Sequence, residues 1–152
     1  MTTYRERLIE EGRDFQEVVY YSLDAKGRFV FPTAFRDEFA DGLFVAQGLD
    51  RCLDVWTREG YGQQKLMAAR LPVGSREARQ MRRVVMSVHQ LDMDGQHRVT
   101  LPKKLRREMG LDREITIVGN LDHLEIWDRS VYRAYMDEAT TSLSTFDSEL
   151  DL

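Results

Sequence analysis

At 152 residues, with 42% apolar and 32% charged residues, the chain fits one compact soluble unit or two very small ones. No stretch approaches the roughly 20 apolar residues of a bilayer span, and the charged start "MTTYRERLIEEGRDF" lacks the apolar core of a secretion signal; a cytoplasmic protein with no membrane role is expected. The net charge of −4 argues against simple nucleic-acid binding, but the acidity sits at the ends: residues 18–136 carry 19 basic and 16 acidic groups, and local clusters govern phosphate contact more than the total does.

In chain order, residues 1–17 form an N-terminal extension with no assigned role. "VVYYSL" is rich in β-branched and aromatic residues and reads as a strand. "DAKG" is turn material, because Asp bonds its own downstream amides and Gly tolerates positive φ. "RFVF" is a return strand, ended by Pro32, which cannot donate to a ladder and suits the first turn of a helix. "TAFRDEFA" reads as a short amphipathic helix with Phe35 and Phe39 on one face. "GLFVAQG" and "CLDVW" are strands, and a helix follows at about 57–70. A linking helix over about 75–87 has Ala78, Met81 and Val85 as its seam and Arg76, Arg79, Arg82 and Arg83 on its far side. The order then restarts: strand "VVMSVHQL", turn "DGQH", strand "RVTL", Pro102, helix "KKLRREMG" with Leu105 and Met109 on one face, strands "EITIVGN" and "HLEIW", and a helix at about 129–140. The glycines of "QG" and "GN" fit tight hairpin connections. Trp56 and Trp127 read as matched core anchors, and the lone Cys52 as a half-buried small residue. These elements divide the chain into an extension (1–17), a first module with its helix (18–70), a linking helix (71–88), a second module with its helix (89–140) and an acidic tail (141–152) expected to be disordered.

The restart is a true repeat. At an offset of 70, Asp24, Arg28, Pro32, Arg36 and Glu38 align with Asp94, Arg98, Pro102, Arg106 and Glu108. Composition alone would match roughly one position in such a window. After a one-residue shift, Gly48 aligns with Gly119, "LDVW" with "LEIW", and Tyr61 with Tyr132. One half is too small for a good core. Two halves can pair their apolar faces about a pseudo-twofold axis, and the repeated turn then becomes two symmetrical projections.

Enzyme chemistry is not expected. His89, His97 and His123 lie far apart, and there is no HExxH, CxxC or phosphate-cradling glycine loop, nor a nucleophile elbow. No cofactor, metal or small-molecule ligand is expected. The turns offer better chemistry: Lys26 and Arg28 in the first, Gln96 and Arg98 in the second. Arginine presents a fork of donors to phosphate or a guanine edge, glutamine pairs with adenine, and a hairpin ribbon fits the major groove of double-stranded DNA. Lys103, Lys104, Arg106 and Arg107 suit backbone contacts that fix register. Asp24 and Asp94, each with arginine at i+4, shape the loops. His97 replaces Gly27 and must take a backbone angle that glycine takes more freely.

With "LDAKGRFVFPTAFRDEF…LDVW" and "LDMDGQHRVTLPKKLRREMGL…ITIVGNLDHLEIWD", residues of about 15–140 resemble the MraZ family, in which a module with the DxxxR motif (here Asp24–Arg28 and Asp94–Arg98) occurs twice. That family is related to AbrB-type and MazE-type regulators and antitoxins. The resemblance implies an α+β fold, a double-split β-barrel built from two swapped-hairpin modules with additional helices. It also implies a nucleoid-associated bacterial transcriptional regulator that binds direct repeats upstream of its own operon, the division and cell-wall gene cluster, as a ring-like homo-oligomer. By position, Lys26, Arg28, Gln96 and Arg98 would face DNA. An antitoxin-like interaction module, or an oligomeric scaffold, is the alternative.

Overall fold

A computed structural model describes residues 2–149. The fold is α+β. Among the described residues, eight strands are arranged as a six-stranded antiparallel sheet of order β1-β7-β8-β4-β3-β5 and a two-stranded ladder, β2-β6, with five α-helices around them. The large sheet has two open edges, β1 and β5, and does not close on itself.

The strands are β1 (Val18–Ser22), β2 (Arg28–Val30), β3 (Leu43–Gln47) and β4 (Leu53–Trp56) in the first half, and β5 (Val88–Leu91), β6 (Arg98–Thr100), β7 (Glu114–Asn120) and β8 (His123–Asp128) in the second. Each half gives strands to the other: β1 pairs with β7, β3 with β5, and β2 with β6. β1 and β2 form no hairpin ladder, so the expected groove-filling ribbon is instead a loop whose two flanking strands lie in different sheets. The central seam is β4 against β8, with Asp54 opposite Glu125 and Leu53 opposite Ile126. The strand order is thus the same read from either edge, as a pseudo-twofold axis requires.

The core is shared. Phe29, Phe31, Phe39, Leu43 and Val45 from the first half pack in one cluster with Val99, Leu101, Leu105, Ile115, Ile117 and Ile126 from the second. Aromatic pairs such as Phe31–Phe39, at 5.3 Å, fill the side beneath the β2–β6 ladder. Trp127 is buried against Tyr132, and Trp56 is buried with Phe44 and Tyr61.

Several elements differ from the sequence reading. The extension holds α1 (Tyr4–Glu10), which starts in a capping box: Thr3 Oγ1 accepts from the Glu6 amide and the Glu6 carboxylate accepts from the Thr3 amide. The T-x-x-E signal was present in the sequence. Tyr4 and Leu8 are buried in the core, and the Tyr4 hydroxyl pairs with Thr57 Oγ1 at 2.8 Å. "TAFRDEFA" yields only a 3-10 turn at Thr33–Phe35, whereas its counterpart makes α4 (Lys103–Glu108). Lysine, arginine and leucine favour helix more than the threonine, phenylalanine and aspartate of the first copy. α2 spans Arg58–Ala69 and α3 Arg76–Met86, so Val84–Met86 complete a helix and do not begin a strand. Arg82 of α3 turns inward, donating to the carbonyls of Ala68 and Leu71 at the end of α2.

The last helix, α5, starts over Asp128, whose Oδ2 accepts from the Val131 amide, and runs Arg129–Glu149. Residues 141–149 of the segment expected as a disordered tail are therefore helical, since no proline or glycine follows Arg129 to stop the helix; residues 150–152 lie outside those described. Gly119 lies inside β7, and the turn angle belongs to Leu121, at φ 69°. Glycine is needed at 119 because a Cβ there would come within 2.2 Å of the Gln16 carbonyl. No helix among the described residues is long and apolar enough to cross a membrane.

Candidate nucleic-acid interface

Each DxxxR loop is built on one carboxylate. Asp24 Oδ1 accepts from the amides of Lys26 and Arg28, both at 2.9 Å, and Asp24 Oδ2 accepts from Arg28 Nε at 2.7 Å. Asp94 repeats the pattern with Gln96 (2.8 Å), Arg98 (2.9 Å) and Arg98 Nε (2.8 Å). The backbone closes each turn as well: the Gly27 amide donates to the Asp24 carbonyl and the His97 amide to the Asp94 carbonyl. A carboxylate that accepts from several donors is stabilised in its charged form. Hydrogen bonds from the Arg28 amide and guanidinium hold Asp24 below its ordinary range, and those from the Arg98 amide and guanidinium hold Asp94 down at about 2.

The two loops are joined through their bases. The Phe31 amide donates to the His97 carbonyl and the Leu101 amide to the Gly27 carbonyl, extending the β2–β6 ladder by one bond at each end. The loops therefore stand at opposite ends of one ladder. Four residue steps, from Gly27 to Phe31 opposite His97, separate their bases, on the order of 13 Å.

The arginines of the motif are half-buried, and each is tied to its aspartate through Nε. Lys26, Gln96 and His97 form the exposed tips, and Lys103, Lys104 and Arg107 are exposed on α4. Arg106 packs inward: its Nε donates to the Leu101 carbonyl, and its guanidinium lies against Gly27, where a Cβ would sit 2.6 Å from Nε. Gly27 is favoured by its φ of 76°, and a Cβ there would also have to move the Arg106 guanidinium aside, while exposed His97 takes φ 60°.

The MraZ sequence profile, described as "MraZ protein, putative antitoxin-like", matches residues 15–84 and again 85–152. The chain belongs to the MraZ family. MraZ relatives cover most of its length. A protein of Arthrobacter sp. (strain FB24) named "Transcriptional regulator MraZ" is 36% identical over 129 residues, 84% of this chain and 91% of the relative. One of the same name from Corynebacterium diphtheriae is 38% identical over 128 residues, covering 84% and 90%. Another from Clavibacter michiganensis subsp. michiganensis is 37% identical over 115 residues, covering 75% and 80%. These MraZ relatives are named as regulators and none as an enzyme. The two profile matches split the chain between β-strand modules that the structure interlocks.

Proposed function

We propose that the protein is a DNA-binding transcriptional regulator that reads double-stranded DNA with its paired DxxxR loops. The observation that carries this reading is the pair of identically braced loops fixed at opposite ends of one ladder, with exposed cationic and amide groups at their tips. The names of the relatives support it. The spacing of the loops is close to the width of one major groove, about 12 Å. Lys26 and Gln96 supply point-charge and amide contacts at the tips. Arg28 and Arg98 keep their aspartates by Nε and offer their outer nitrogens to a phosphate or guanine edge. Lys103 and Lys104 add backbone contacts that position the protein.

The finer reading is a nucleoid-associated cytoplasmic regulator of its own operon, the division and cell-wall gene cluster, bound to direct repeats as a ring. Two unlike apolar surfaces support self-association: Leu66 and Met67 of α2 with Met81 of α3 on one side, and Tyr135 and Met136 of α5 on another, all exposed. Unlike patches that meet head to tail generate rings when the rotation closes. The swapped strands over one shared core support reading the architecture as a double-split barrel.

The test is a titration with DNA from upstream of the protein's own gene, against shuffled DNA, at two salt concentrations. The expected result is preference for the native fragment with an affinity that falls steeply as salt rises. Equal affinity for both sequences, or no salt dependence, would refute sequence-specific binding.

A further inference from the structure

The β4–β8 seam holds a cluster of metal-ligating side chains away from the loops. The Sγ of Cys52 and a carboxylate oxygen from each of Asp54 and Glu125 all lie within 4.8 Å of one another. Cys52 Sγ is 3.8 Å from Asp54 Oδ1. His123 Nε2 is 3.6 Å from Asp54 Oδ1 and 3.6 Å from Glu125 Oε2. The edges of a tetrahedron around zinc with nitrogen and oxygen ligands are about 3.4 Å, and with sulfur about 3.6 Å. The Cys52–Asp54, His123–Asp54 and His123–Glu125 separations are within a few tenths of an ångström of these.

The surroundings add an independent observation. His123 Nδ1 is hydrogen-bonded to Asp122 Oδ1 at 2.8 Å, and Arg5 Nε donates to the other Asp122 oxygen at 3.1 Å. A carboxylate on the far nitrogen of an imidazole turns the near nitrogen's lone pair toward a metal, the common outer support of zinc-binding histidines. Glu125 is oriented by the Trp127 indole at 3.1 Å and the Asn120 amide at 3.3 Å. Trp56 stacks on the His123 ring at 4.4 Å. Asp54, Glu125 and His123 line a cavity of about 330 Å³ through which an ion can enter, while Cys52 is buried behind them.

We infer that Cys52, Asp54, His123 and Glu125 form a site for a divalent transition metal of the zinc class. Sulfur and imidazole donors select such an ion over magnesium or calcium, which take oxygen ligands. Two ligands come from each half of the chain, Asp54, His123 and Glu125 on the paired strands β4 and β8 and Cys52 in the bend just before β4, so a bound ion would clip the halves together. Ligands about 70 residues apart in sequence leave no spacing motif, which is why the sequence shows none.

The experiment uses the full chain without a tag, reduced and stripped of metal with a chelator, and titrates it with Co²⁺. Expected are a stoichiometric rise of strong visible bands from tetrahedral cobalt, a near-ultraviolet thiolate-to-cobalt band, and displacement of both by Zn²⁺, which also raises the melting temperature. Cys52→Ser is expected to abolish the thiolate band, and Asp122→Asn to weaken Co²⁺ binding by about 10–100-fold. Weak, non-saturating spectra in the wild-type chain would overturn the proposal. So would an unchanged thiolate band in Cys52→Ser, a variant whose fold is checked by circular dichroism. The wild-type titration decides the matter even if that variant does not fold.

Discussion

Asp24 and Asp94 each commit one carboxylate oxygen to two backbone amides and the other to a guanidinium. Removing that charge should open the loop while leaving the core intact. Because both folded-state values lie below the unfolded value of about 3.9, the bracing they provide is complete above that pH. It is lost as pH falls, through about 2 for Asp94. Loop amide signals followed by NMR on acidification should therefore hold steady to about pH 4 and move below it, ahead of the core; Asp94→Asn should show the opened second loop already at neutral pH. The residue at the fourth position of the turn makes a second test. Gly27→Ala should destabilise by roughly 1–2 kcal/mol from left-handed strain, with the Arg106 guanidinium moving aside for the new methyl. His97→Gly relieves the same strain at an exposed position and should stabilise by up to about 1 kcal/mol. Chemical denaturation measures both. At the tips, Lys26 and Gln96 are exposed, so Lys26→Ala and Gln96→Ala should leave stability unchanged and weaken DNA binding, with Lys26→Ala lowering the salt slope by about one.

At the scale of elements, the repeat made the strands and turns legible, because period-two apolar runs flanked by Asp, Gly and Pro recur at matching positions. The pairing of those strands was not legible. "VVYYSL-DAKG-RFVF" satisfies every local rule for a hairpin, yet β1 pairs with β7 and β2 with β6, since burying Phe29 and Phe31 needs the other half's Val99 and Leu101. That Lys26 and Gln96 stand in exposed turns was legible from the Asp and Gly around them. The inward turn of Arg106 was not, because helix periodicity does not show which arginine lies over a loop from the other half. α1 was announced by Thr3 and Glu6 alone, too short a signal to stand out beside a charged extension. Thr3→Ala should cost about 1 kcal/mol by loss of the cap. Gly119→Ala should be more disruptive, because its methyl would displace the Gln16 carbonyl and peel residues 15–17 from β7. Limited proteolysis should then cut near Phe15 much faster than in the wild type.

Across the whole molecule, neither half owns a complete sheet. A fragment of residues 15–84 leaves β1 without β7, β3 without β5 and β4 without β8. Expressed alone it should lack cooperative thermal unfolding by circular dichroism, and mixing it with residues 85–149 should restore a transition. A folded, monomeric single half would contradict the interlocked core. The same near-symmetry has a further effect once its imperfection is considered. The frame is twofold, but its two tips read Lys26-Gly27 and Gln96-His97. Turned end for end, the molecule would offer a duplex a different pair of contacts. Duplication followed by divergence has given one chain a head and a tail, so a run of identical copies can all point the same way along a helix.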